Sequence, residues 1–144
     1  MLIETDLLYA FMDTSSRHHE VSMKIFDRIK KHELEVQVLS LSLLELELLI
    51  RSGNLLVNNK KADDKESKGW FKKLCLSFEQ HNISVKDITC ADFIESARMR
   101  SKYGLSFFDS HFAAYARRKD MVILSTDKMY DSVKEIKKID PYEI

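Results

Sequence analysis

Met121-Val122-Ile123-Leu124-Ser125-Thr126-Asp127 is the stretch from which the rest of the chain is read. Its four apolar residues, two of them β-branched, make a strand too apolar for any but an interior place in a sheet, and such strands belong to parallel sheets covered on both faces. Two hydroxyl residues end the run, and an acid stands at its C-terminal end. In open α/β sheets ligands bind at that edge, where the strand order reverses.

Working upstream, residues 107–118 read as a helix with Phe108, Phe112, Tyr115 and Ala116 on one face, and Gly104 breaks the chain before it. Residues 91–102 form another amphipathic helix and 83–88 a third strand, while 70–80 is helical and 57–69 is a polar loop or a helix start. Leu43 to Leu49 is a helix ending near Ser52-Gly53, because Leu and Glu favour helix and no β-branched residue interrupts them. Glu35 to Leu39 alternates as a second strand, and Arg17 to Lys31 is helical, with Val21, Ile25 and Ile29 at every fourth position and Phe26 widening the stripe. Met1 to Leu8 reads as a short buried strand. Downstream, 128–133 is a short helix and 136–139 an edge strand. Strands alternating with helices at this spacing predict an α/β protein, a three-layer α/β/α sandwich around a mainly parallel sheet, with residues 1–144 as a single domain.

Composition narrows the function. At 44% hydrophobic and 32% charged, the 144 residues suit a globular domain rather than a disordered chain. No apolar run approaches the roughly 20 residues of a membrane span, and the acids of MLIETDLLYAFMD stand where a secretory signal carries basic residues, so a cytoplasmic protein is expected. Cys75 and Cys90 form no CxxC pair and are expected in the core or at its boundary. With 23 basic and 23 acidic residues, net charge makes no case for nucleic acid and does not exclude it, since an acid cluster offsets basic patches elsewhere.

The acids carry the chemistry. Glu4 with Asp6, Glu45, Asp109 and Asp127 each fall at a strand end or in the first turn of the following helix. Carboxylates gathered at one sheet edge repel unless a cation lies between them, which points to a divalent metal and phosphodiester hydrolysis. A plainer reading stands beside this one. Ser42…Glu45, Ser106…Asp109 and Thr89…Asp92 all match the capping box, in which the acid three residues on reaches back to the helix start. The two readings are compatible, because a helix N-terminus favours the ionised carboxylate a cation needs. Glu45 among five leucines, and Asp109 after Leu105, Phe107 and Phe108, are poorly placed for solvated acids.

At these residues the chain resembles the PIN domain family. Ile3-Glu4-Thr5-Asp6-Leu7-Leu8 looks like its opening motif, Leu43-Leu44-Glu45-Leu46 like the second, Tyr103-Gly104-Leu105-Ser106-Phe107-Phe108-Asp109-Ser110 like the third and Ile123-Leu124-Ser125-Thr126-Asp127-Lys128 like the fourth. The resemblance implies a Mg²⁺- or Mn²⁺-dependent endoribonuclease, most often a VapC-type toxin with an antitoxin partner, in homodimeric form. It places Glu4, Glu45, Asp109 and Asp127 as metal ligands, with Ser125 and Thr126 as polar support. The family's first acid is normally Asp. Here Glu4 stands in its place and Asp6, two residues on and so on the same side of a strand, is the other candidate. The chemistry implied is attack by water, leaving a 5′-phosphate and a 3′-hydroxyl, with one metal or two.

Other features rank below these. Lys60, Lys61, Lys65, Lys68, Lys72 and Lys73 bracket Trp70-Phe71, so Trp70, Lys72, Lys73 and Arg98 are candidates for RNA binding by stacking and phosphate pairing. The bland alternative puts Trp70 in the core or at a dimer interface. Arg100, Lys102, Arg117, Arg118 and Lys119 are further phosphate candidates. No histidine has zinc-site spacing, and only His111, beside Asp109, is a candidate for substrate contact. Three rivals to the toxin reading remain: an RNA-processing nuclease of the same fold, a catalytically weakened domain that binds RNA or protein, and a flavodoxin-like phosphoacceptor using Asp87. The last needs a lysine just past the final strand, and Pro141-Tyr142-Glu143-Ile144 supplies none.

Overall fold

The computed structural model describes residues 1–57 and 59–144; residue 58, within the predicted polar loop, lies outside the described residues. The chain runs β1 (Leu2–Ile3), α1 (Thr5–Met12), α2 (His19–Lys30), β2 (Gln37–Leu39), α3 (Ser40–Ser52), α4 (Asp64–Gln80), β3 (Ser84–Lys86), α5 (Cys90–Tyr103), α6 (Phe107–Lys119), β4 (Val122–Leu124) and β5 (Lys137–Ile139). Short 3-10 turns occupy Lys128–Ser132 and Pro141–Glu143.

The five strands are all parallel, in the order β3-β2-β1-β4-β5. The chain therefore builds outward from β1 to β3, then crosses back to the other side of β1 for β4. Strand order reverses between β1 and β4, and Leu2 pairs with Ile123 there and Ile3 with Leu124. The crossing also divides the helices. Successive strand residues point to opposite faces, so Ile3, Val38 and Leu124 join the core formed with α1, α2, α3 and α4, while Leu2, Leu39 and Ile123 join the core under α5 and α6. Each of these six side chains is fully buried. Complete burial of such a side chain contributes about 1.5–3 kcal/mol, and period-two alternation delivers it to both faces. The result is the three-layer sandwich.

Several elements differ from the sequence reading. The expected strand over Met1 to Leu8 is two residues long, and α1 replaces the rest. Glu4 ends the strand by capping that helix, its side chain accepting from the Asp6 amide, and the Leu, Ala and Met residues that follow favour helix. Their adjacent apolar pairs resemble a strand, but Leu7, Leu8 and Ala10 are one buried helical stripe. Ser42 does not start a helix: α3 begins two residues earlier, so the Ser42–Glu45 capping box does not form and the buried Ser42 hydroxyl has no partner among the described residues. The Thr89–Asp92 box is complete, and at Ser106 only the half in which Ser accepts from the Asp109 amide forms. An unanticipated box, Asp63 with Glu66, opens α4. Gly53 and Gly104 end α3 and α5 at φ of +79° and +68°, a conformation that suits glycine. Cys75 and Cys90 are exposed rather than in the core, because each falls on the solvent side of its helix. Among the described residues, no helix is long and apolar enough to cross a membrane.

Candidate active site

An open pocket of about 670 Å³ lies at the C-terminal edge of the sheet, where strand order reverses. Its lining includes Glu4, Asp6, Glu45, Asp109 and Asp127, so the fold brings all five acids together from four distant segments. Each arrives by a short connection from a rigid element. Glu4 directly follows β1, and its amide donates to Leu124 O at 3.1 Å, continuing the β1–β4 ladder by one bond. Asp6 sits in the first turn of α1, Glu45 in the second turn of α3, and Asp109 in the first turn of α6. Asp127 follows β4 and caps the 3-10 turn, accepting from the Met129 amide at 2.8 Å.

Glu4 and Asp6 share a side for a reason other than the pleat of a strand: they are the cap and the first turn of one helix. Their environments differ. Asp6 Oδ2 accepts from the Thr126 amide at 2.8 Å, from the Thr126 hydroxyl and from Ser125 Oγ at 3.3 Å, while Oδ1 accepts from the Leu7 amide at 2.7 Å. Glu4 is only 6% exposed, and its Oε2 accepts from the Asp6 amide at 3.2 Å and from Ser125 Oγ at 3.4 Å. Its Oε1 has no protein donor among the described residues. Ser125 also accepts from the Asp127 amide at 2.9 Å, so one buried hydroxyl ties three of the acids.

Burial drives the Glu4 carboxyl well above the ordinary carboxylate range, and the neighbouring Asp6 and then Glu45 add to the effect. Glu45 is raised to about 7, first by burial and further by Asp109 and Asp6, against a 2.6 Å hydrogen bond donated by Thr5 that favours its ionised form. The Tyr130 hydroxyl, which donates to Asp109 Oδ1 at 3.4 Å, is likewise held well above its usual value by burial and then by Glu4 and Asp109. The cluster thus resists full ionisation, as like charges without a counter-ion must. The acids supply only oxygen donors, which fits a hard cation such as Mg²⁺ or Mn²⁺. Among the described residues, no three acidic, histidine or cysteine side chains already converge on one ion position. A metal here would therefore take few direct carboxylates and complete its shell with water and phosphate, as Mg²⁺ commonly does.

Thr5 and Tyr130 belong to the site but were not singled out from the sequence, nor were the basic residues on the pocket wall, Arg17, His18 and Lys128. Thr5 lies inside the first motif and could have been found there; Arg17 and His18 reach the pocket through the turn between α1 and α2, which carries no local signal. The leucines around Glu45 do not enclose it as their sequence spacing suggests: Leu44 and Leu48 are 48% and 50% exposed and only Leu46 is fully buried. The RNA-binding candidates lie elsewhere. Trp70 is buried in the core, where its ring cannot stack on a base, and Lys72 and Lys73 are exposed on α4. Arg98 is committed to Glu95 and Glu135, each with a contact of 2.6 Å. His111 is fully buried, with Nδ1 2.7 Å from Phe107 O and Nε2 3.2 Å from Ser96 Oγ, so it faces the α5–α6 packing and not a ligand. Asp87 follows β3, at the far edge of the sheet from the pocket.

A parallel α/β sandwich with an acid-lined pocket at its switch edge defines the class. The profile of the PIN domain matches residues 1–136, and the chain belongs to the PIN domain family, a family of nucleases. Solved structures share the fold at low identity. FitAcB from Neisseria gonorrhoeae aligns at a TM-score of 0.71 with 14% identity, covering 99% of each chain. VapBC2 from Rickettsia felis, bound to a DNA fragment from its promoter, aligns at 0.70 with 10% identity and 96% of each chain. The sarcin-ricin loop cleaving toxin VapC20 of Mycobacterium tuberculosis aligns at 0.67 with 12% identity, covering 92% of this chain and 94% of its own. No curated protein sequence matches the chain significantly.

Proposed function

We propose that the chain is a Mg²⁺- or Mn²⁺-dependent endoribonuclease and the toxin member of a toxin–antitoxin pair. The observation that carries this reading is the convergence of Glu4, Asp6, Glu45, Asp109 and Asp127 in one open pocket at the switch edge of a PIN domain. The antitoxin is proposed because solved relatives of the fold include VapBC and FitAB assemblies. Exposed Phe93 and Ile94 on α5, and Leu44 and Leu48 on α3, offer apolar surface of the kind a protein partner covers. A homodimer and a cytoplasmic location belong to the same proposal.

Glu4, Glu45, Asp109 and Asp127 would hold the metal between them, one or two directly and the others through its water ligands. Between the two candidates for the first ligand, we favour Glu4, because its Oε1 accepts no protein donor among the described residues while both Asp6 oxygens already do. Asp6 then acts as a strut, fixing the start of α1 to Thr126. Thr5 orients Glu45, Ser125 orients Glu4, and Tyr130 holds Asp109. When bound, the metal would neutralise charge on the scissile phosphate and make a coordinated water more acidic. The water oxygen forms a bond to phosphorus as the bond from phosphorus to the 3′-oxygen breaks; the leaving oxygen keeps the electron pair and ends with a proton, giving a 5′-phosphate and a 3′-hydroxyl.

The test is incubation with labelled single-stranded RNA and total tRNA, with Mn²⁺, with EDTA, and as Asp109→Asn. Cleavage with Mn²⁺ that both controls abolish is the expected result. Glu4 where the family usually has Asp favours a second reading, a domain that binds RNA or protein with weakened catalysis; Mn²⁺ binding without cleavage would select it.

A further inference from the structure

The lining of the acid pocket also carries basic residues, two of which are bonded to each other and to a tyrosine. Arg17 Nε donates to His18 Nε2 at 2.8 Å. A guanidinium has no acceptor, so Nε2 must be the unprotonated nitrogen, and the ring proton lies on Nδ1. Nδ1 is 2.8 Å from the Tyr142 hydroxyl and therefore donates to it. That hydroxyl is left to donate onward, and it does so to Arg17 O at 3.4 Å. The three residues close a ring of hydrogen bonds, with the Tyr142 ring edge-on to His18 at 5.8 Å. Only one of the five N–H groups of Arg17 is used in it. Arg17, His18 and Lys128 line the pocket, and neither Arg17 nor Lys128 pairs with a carboxylate among the described residues.

The contrast with the other arginines is informative. Arg98 and Arg117 are held by Glu95 and Glu135, Lys102 by Glu135, and Arg118 by Asp92. Arg100 donates to Ser110 Oγ at 2.9 Å and lies over the Phe107 ring. Of the cations that the sequence suggested as phosphate contacts, the four arginines and Lys102 are thus engaged within the protein, while Lys72, Lys73 and Lys119 are exposed with no ion pair among the described residues. Arg17 and Lys128 differ from the other unpaired cations in lining the pocket that holds the acids.

We propose that Arg17 binds a backbone phosphate of the substrate beside the scissile one, with Lys128 as a second, looser contact, and that His18 and Tyr142 are positioning residues acting through Arg17. The inference rests on the nuclease reading above. The ligand is the phosphodiester backbone and not a base, so Arg17 contributes affinity without sequence preference. Fixing the guanidinium in advance leaves its paired terminal N–H groups free for two-point phosphate recognition.

The experiment is steady-state cleavage of one labelled single-stranded RNA with Mn²⁺ over a range of salt, for the wild type, Arg17→Ala, Arg17→Lys, Tyr142→Phe and the Arg17→Ala/Tyr142→Phe double variant, with thermal melts of each. Loss of one charge-assisted phosphate contact is expected to raise KM about tenfold to a hundredfold in Arg17→Ala with kcat little changed, and to lower the slope of log KM against log salt by about 0.7. Arg17→Lys should restore the salt slope but not the full affinity. Tyr142→Phe should raise KM severalfold, and the double variant should match Arg17→Ala alone. Unchanged KM and salt slope in Arg17→Ala would overturn the phosphate role while leaving the nuclease standing. Additive effects of Arg17→Ala and Tyr142→Phe would overturn the positioning role. A wild type that cleaves nothing would remove the nuclease reading and this inference with it.

Discussion

Thr5 and Thr126 bear on the carboxylates more than their size suggests. Thr5 is 4% exposed and donates to Glu45, while Thr126 gives Asp6 both its amide and its hydroxyl. Residues that orient metal ligands typically cost about 10–100-fold in metal affinity or activity when lost. Thr5→Val keeps the shape and removes the donor, so Mn²⁺ affinity by calorimetry should fall by about that factor while the melting temperature in EDTA changes little. Glu45 makes a second prediction. Its carboxyl titrates near 4.5 in the unfolded chain and about 7 in the folded one. Below the lower value both states are protonated and nothing is lost; as pH rises through the upper value the folded state is penalised for ionising, so stability falls across that window. Glu45→Gln cannot ionise. Its melting temperature in EDTA should match the wild type at pH 4 and exceed it by a few degrees at pH 8; equal differences at both pH values would contradict the assignment. At this scale the sequence singles out the five acids that line the pocket, because each reads as a strand end or the first turn of the helix that follows. It did not show that Asp6 is bonded at both oxygens, since Thr126 lies 120 residues away along the chain.

At the level of elements, two glycines separate backbone need from backbone cost. Gly104 ends α5 in the left-handed region at φ of +68°, and an added Cβ there meets nothing within 4 Å, so the strain is conformational only. Gly104→Ala should lower stability by about 1 kcal/mol. Gly69 lies inside α4 with equally open space around it and no such φ, and Gly69→Ala should raise stability by about 0.5–1 kcal/mol. Chemical denaturation of the pair reads both signs in one experiment. Most helices were legible because their apolar spacing is regular: Val21, Ile25 and Ile29 are all buried on α2. The first helix was not, because the polar triplet Glu4-Thr5-Asp6 separates two short apolar runs, Leu2-Ile3 and Leu7-Leu8, and neither run is long enough to show a period. What ends the strand is Glu4 turning to cap α1, a tertiary event whose residue also belongs to the pocket.

For the whole molecule, the parallel sheet and its switch edge followed from the alternation of strands and helices, and the strand order did not. Nothing in β3 or β4 states that the chain crosses over β2 and β1 between them; that is settled by which faces must be covered. The consequence is that the acids from four segments meet only in the finished fold. A ligand that binds only the folded state stabilises it by mass action, by about 2.7 kcal/mol at a hundredfold excess over Kd. Mn²⁺ should accordingly raise the wild-type melting temperature by several degrees, and Asp109→Asn should lose most of that rise. The measurement closest to the central claim is the chemistry of the cut ends when single-stranded RNA is incubated with the protein in Mn²⁺ and in EDTA. The account predicts 5′-phosphate and 3′-hydroxyl ends in Mn²⁺ and intact RNA in EDTA. Cyclic 2′,3′-phosphate ends, or cleavage that persists in EDTA, would mean that the RNA's own hydroxyl is the nucleophile and that the acid pocket does not work through a metal.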